Sequence, residues 1–99
     1  MTNVFNVSVM DAETKEELDM INVSVLTQLG ELFDITDKYG QVRFKDWVWS
    51  ETLTFKCTVN DPRKDGYDER YKSYEHNAVT LNKTNPYFFV KLHKKKDVD

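Results

Sequence analysis

Thr14-Lys15-Glu16-Glu17-Leu18 leads into Ile21-x-Val23-x-Val25, and Thr36-Asp37-Lys38-Tyr39-Gly40 leads into Gln41-Val42-Arg43-Phe44. Apolar residues recur at every second position on both sides of a polar break, the period of strands that bury one face. Within the break, Asp37 is placed to accept hydrogen bonds from the backbone amides that follow it. Gly40 can take a positive φ at no steric cost. The stretch reads as strand, strand, tight turn, strand.

The same period extends in both directions. Phe5, Val7 and Val9 alternate in a first strand over 3–10, and the polar run 11–17 has no apolar face to bury, so it is a connection. A second strand covers 20–27 with Ile21, Val23 and Val25 inward, 28–30 is a loop, and shorter strands follow over 31–35 and 41–45. The longest alternating run is 52–60. After it comes a polar break, Asn60 to Arg70, in which Pro62 and Gly66 exclude a central strand. Two more strands, 73–81 and 87–94, flank the turn Asn82-Lys83-Thr84-Asn85-Pro86, and Tyr87-Phe88-Phe89-Val90-Lys91-Leu92 is apolar enough to be a central strand. About seven strands with turn signals every ~8–12 residues predict an all-β fold, a sandwich of two sheets.

The 99 residues predict a single domain over 1–99, long enough to bury one core without disulfide or metal staples. Aromatic residues make up 13% and charges are dispersed, a composition that folds. A net charge of -3 argues against a phosphate-binding surface, so nucleic acid is not an expected partner. No apolar run approaches the ~20 residues of a membrane-spanning helix, so no transmembrane segment is expected. Met1-Thr2-Asn3 is either the start of a cytoplasmic protein or a start placed after a removed signal or lipid-attachment segment. Cys57 is the sole cysteine and sits in the alternation Leu53-x-Phe55-x-Cys57-x-Val59, which predicts a buried, unreactive thiol.

Val7, Val9, Asp11, Thr14, Leu18, Val23, Val25, Thr36, Asp37, Gly40 and Phe44 fall in an order that resembles the carboxypeptidase regulatory-like and prealbumin-like (transthyretin-type) domains. The long strand followed by Asn60-Asp61-Pro62-Arg63-Lys64-Asp65-Gly66 is similar to small surface lipoproteins of gut bacteria. The resemblance implies a seven-stranded Greek-key sandwich. It also implies a non-catalytic structural or interaction module of an extracytoplasmic bacterial (lipo)protein, in the periplasm or on the cell surface. Two positions depart from the family pattern: Glu17 stands where Pro is common before the Leu, and Met20 where Gly is common two residues after it. A transthyretin-like hydrolase implies paired histidines, an arginine and a C-terminal Tyr-Arg-Gly-Ser. This chain has only His76 and His93 and ends in lysines and aspartates, so no enzyme and no cofactor are expected.

Two regions carry candidate sites. Trp47, Trp49, Tyr67 and Tyr71, with Tyr74 nearby, are aromatic residues able to stack on sugar faces or anchor a protein, against the alternative that they close the sandwich over its core. Asp61, Asp65, Asp68 and Glu69 offer hard oxygen ligands of the calcium type, with Gly66 allowing a sharp turn. Against EF-hand spacing, however, Arg63 stands at the third-position ligand and Lys72 at the bidentate Glu, which favours a solvated loop over a metal site. His93-Lys94-Lys95-Lys96 reads as a solvated tail. The partner classes left open are a protein and a glycan, for a monomer or a weak homodimer.

Overall fold

The computed structural model describes residues 3–28, 30–47, 51–65 and 68–95, with the side chains of 3, 46, 47, 64, 65, 68 and 69 outside the description. The alternating runs become β1 (Asn3–Asp11), β2 (Asn22–Thr27), β3 (Gly30–Ile35), β4 (Gln41–Trp47) and β5 (Thr52–Asn60). The polar break holds a two-residue pair, β6 (Lys64–Asp65) and β7 (Asp68–Glu69), where the sequence predicts only a loop; β8 (Tyr74–Asn82) and β9 (Tyr87–Leu92) follow.

Seven of these strands form two packed sheets, ordered β4-β1-β9 and β3-β2-β5-β8. The chain passes between the sheets at β1 to β2, β3 to β4, β4 to β5 and β8 to β9. The fold is therefore an all-β two-sheet sandwich. β1 runs antiparallel to β4 and parallel to β9, and the pairs in the other sheet are antiparallel.

One face of most sandwich strands supplies the core, with Phe5, Val7 and Val9 from β1, Val23 and Val25 from β2, Phe55, Cys57 and Val59 from β5, and Val90 and Leu92 from β9. The Phe5 ring stacks against both Phe44 and Phe55 with centroids 5.2 Å away in each case, tying the sheets together at the centre. Each such side chain taken out of water contributes about 1.5–3 kcal/mol, which is the main force holding the sheets face to face. Cys57 lies in this core, and burial pushes its thiol up to about 12, so at neutral pH it carries no nucleophilic thiolate.

β9 is not central, as its apolar run suggested, but an edge strand of the three-stranded sheet. Phe88, Val90 and Leu92 point inward, and Tyr87 and Phe89 stand out at 51% and 61% exposure. The turn at 36–40 behaves as its residues predict: Asp37 Oδ1 accepts from the amides of Tyr39 (2.9 Å) and Gln41 (3.0 Å). Gly40 has φ +72, and a Cβ there would lie 2.6 Å from the Val9 carbonyl oxygen. Thr36 is buried beside it, its hydroxyl accepting from the Ile21 amide (2.9 Å) and donating to the Leu18 carbonyl (2.7 Å). The hairpin end is thus stitched to the β1–β2 connection. Met20, where the resembled family carries Gly, sits at φ 59.

Candidate functional site

The buried carboxylates, Asp11 and Asp61, hold connections of the sandwich in place. Asp11 is buried at the end of β1; its Oδ1 accepts from the amides of Glu13 (2.8 Å) and Thr14 (3.0 Å), and its Oδ2 accepts from the Tyr71 hydroxyl (2.8 Å). The Thr14 amide first, and then the Tyr71 hydroxyl, hold the Asp11 carboxyl down at about 2. Burial, reinforced by the same hydrogen bond, pushes Tyr71 up to about 12. A carboxylate that stays charged and a phenol that stays protonated make a clamp rather than an acid–base pair near neutral pH.

Tyr71 is therefore a correction to the sequence reading: at 4% exposure, with its hydroxyl on Asp11, it is a core residue and offers no ring to a ligand. The Trp47 backbone closes β4, but its side chain lies outside the described part, as do Trp49 and Tyr67 altogether.

Asp61 is likewise engaged. Fully buried, it accepts from the Arg63 amide (3.0 Å), from Arg63 Nε (3.4 Å) and from Arg70 Nε (3.0 Å). Arg63 also reaches Asp19, through its carboxylate (3.3 Å) and its backbone carbonyl (2.8 Å). The arginine that interrupts the calcium spacing is held, with Arg70, against the Asp61 carboxylate, so Asp61 joins the 61–70 segment to the β1–β2 connection. The side chains of Asp65, Asp68 and Glu69 lie outside the described residues. Among the described residues no group of three His, Cys, Asp or Glu stands close enough to hold a metal ion, and no helix is long and apolar enough to cross a membrane.

Among the described residues the fold leaves several large apolar side chains at the surface. Leu26 (β2) and Phe33 and Ile35 (β3) are 49%, 60% and 42% exposed on the outer face of the four-stranded sheet, and Tyr87 and Phe89 are exposed on the outer face of the other. Tyr87 also borders a cleft of about 420 Å³ between the edge strands β8 and β9, lined among others by His76, Thr80, Asn82, Asn85 and Phe88. His76 Nδ1 accepts from the Ala78 amide at 3.3 Å across a bulge in β8, which leaves the proton of the neutral ring on Nε2. Asn82 Oδ1 is taken up by the Thr84 amide and hydroxyl, both at 2.9 Å, and belongs to the turn.

Sequence reasoning missed Tyr87 and Phe89 because it read a six-residue apolar run as buried on both faces. The signal was Lys91, which shares their parity: a charged residue at the third odd position marks the odd face as the solvated one. No protein-family model and no curated protein matches this chain.

Proposed function

We propose that this chain is a non-catalytic interaction module of an extracytoplasmic bacterial protein, and that it works by surface contact. The observation that carries the reading is the division of labour among its side chains. Asp11, Tyr71, Asp61 and Thr36 are buried and engaged in cross-connections of the scaffold. Large apolar side chains, which a scaffold alone does not require at its surface, are exposed on both sheet faces. The two-sheet order with β1 between β4 and β9 supports a prealbumin-like kinship, and with it a location in the periplasm or on the cell surface.

The test has two arms. Purified protein is offered chromogenic ester, amide, phosphoester and glycoside substrates beside Asp11→Asn and Tyr71→Phe, the variants of its most perturbed titratable pair. No turnover above background is expected. Turnover that those variants abolish would overturn the non-catalytic reading. Protease shaving of intact cells that express the native gene then reports location: the chain is expected to be cut without lysis, and full protection until lysis overturns the surface placement.

A further inference from the structure

The outer face of the β4-β1-β9 sheet has a composition that differs from that of the rest of the molecule. Register places its side chains in rows: Arg43–Asn6–Tyr87, then Gln41–Ser8–Phe89, then Met10 beside Lys91. Lys45, two residues beyond Arg43 on β4, shares the face. The central strand contributes the short, half-buried Asn6 and Ser8, and the flanking strands contribute long exposed side chains. The face is thus a shallow trough along β1, about 10 Å between its walls from the spacing of strands. One wall carries two aromatic rings about 7 Å apart, and the other a guanidinium, an amide and an ammonium.

The cations on this face stand outside the ion pairs that hold three others. Lys56, Arg63 and Arg70 each meet a carboxylate, on Glu75, on Asp19 and Asp61, and on Asp61 respectively. Among the described residues Arg43, Lys45, Lys91 and Lys15 meet none within ion-pairing distance. Lys15 lies against Lys91, and this like-charged neighbour lowers its pKa. Among the described residues its ammonium donates to the Ala12 carbonyl, at 2.8 Å, and the charge of Asp11 offsets the lowering in part. The described carboxylate that register brings to the face is Glu17, at the far end opposite Met10. A chain of net charge -3 thus carries a strip of unneutralised cations beside exposed aromatic rings.

From these features we infer that the trough along β1 binds an acidic polysaccharide, a chain of pyranose rings bearing carboxylates. Tyr87 and Phe89 stack on the apolar faces of successive sugars. Asn6, Ser8 and Gln41, whose side chains make no hydrogen bond among the described residues, meet hydroxyls. Arg43 receives a carboxylate through its two-pronged donor edge, and the Lys15–Lys91 pair, whose mutual repulsion an anion relieves, receives another. A nucleic-acid strand fits less well, since it brings a phosphate every ~3.4 Å and four cations spread over the whole face do not match that density. A protein partner fits less well because the floor of the trough is polar, whereas the centre of a protein interface is apolar.

The inference rests on the interaction-module reading and names its ligand class. Calorimetry with an oligomer of galacturonic acid tests it, against a neutral oligomer of equal length and against anionic phospholipid vesicles. Binding to the polyuronate is expected, weakening with salt and falling about tenfold or more in Tyr87→Ala and in Arg43→Gln. Both residues are solvent-facing, and an unchanged melting temperature checks that the variants fold. Phe33→Ala, on the opposite sheet, is expected to bind as the parent does. Absence of polyuronate binding, equal binding of the neutral oligomer, unchanged affinity in the variants, binding only to vesicles, or a solution dimer that dissociates on Tyr87→Ala each overturns the proposal. None of these outcomes bears on turnover, so failure of the ligand assignment and failure of the non-catalytic reading are told apart.

Discussion

Gly40 and Met20 share a backbone region and have opposite consequences. Both have positive φ, but Gly40 is buried with the Val9 carbonyl 2.6 Å from where a Cβ would stand, and Met20 is half exposed. Gly40→Ala therefore adds a collision with backbone to the strain of the left-handed region and is expected to destabilise by about 2 kcal/mol or more in chemical denaturation. Met20→Gly removes strain of about 1 kcal/mol and gives some back through the freer unfolded chain. It is expected to raise the melting temperature by a few degrees; a fall would show that the Met20 side chain packs more than its exposure suggests. The turn role of Gly40 was legible because glycine and aspartate advertise it. The conformation of Met20 was not, because methionine carries no such signal and only its neighbours force the angle.

The element that most needs protection is β3, at the edge of the four-stranded sheet. The amides of its even-numbered residues face β2, as the adjoining Thr36 amide does in donating to the Ile21 carbonyl at 2.9 Å. The backbone of Glu31, Phe33 and Ile35 therefore faces outward, beside two exposed apolar side chains, the combination that invites pairing with another chain. Asp34 guards it: its carboxylate accepts from the Ile35 amide at 2.7 Å, occupying a donor that an incoming strand requires. Asp34→Ala is expected to leave the monomer folded and to raise concentration-dependent association in light scattering, with a monomer at all concentrations as the contrary result. Alternation identified the seven strands and most inward residues, since Val, Phe and Leu at period two have one way to bury. It could not rank strands as central or edge, because that depends on which neighbours arrive from distant parts of the chain. β9 and the small β6–β7 pair were misjudged for that reason. The buried role of Tyr71 was hidden in the same way, its partner Asp11 lying sixty positions away in the chain.

At the scale of the molecule, the Asp11–Tyr71 clamp joins the end of the first strand to the segment entering β8, and it gives stability a pH profile at both extremes. The Asp11 carboxyl is held below its ordinary value of 3.8 at about 2, so its contribution is complete above about pH 4 and is lost as pH falls from 4 to 2. Tyr71 is held above its ordinary 10 at about 12, so its contribution is complete below pH 10 and is lost as pH rises to 12. Tyr71→Phe is expected to cost about 1.5–3 kcal/mol at neutral pH, as a hydrogen bond to a buried charge does. It should also shallow both arms in melting curves taken across pH, the alkaline one keeping the share that the buried Cys57 thiol contributes.

The parallel pairing of β1 with β9 has a mechanical consequence. Six residue pairs, from Asn6 with Tyr87 to Asp11 with Leu92, align the first and last strands of the sandwich in the same direction. Tension applied before β1 and after β9 pulls these neighbours lengthwise past one another. The whole ladder then carries the load at once, and its hydrogen bonds cannot open one after another as in a zipper. In single-molecule pulling, the domain is expected to rupture in one high-force event. Attaching the handles at Asn22 and Ile35, the open end of the β2–β3 hairpin, is expected to peel it open pair by pair at a much lower force. A module that grips a polymer along β1 would in this way meet traction on its ends through its most resistant direction.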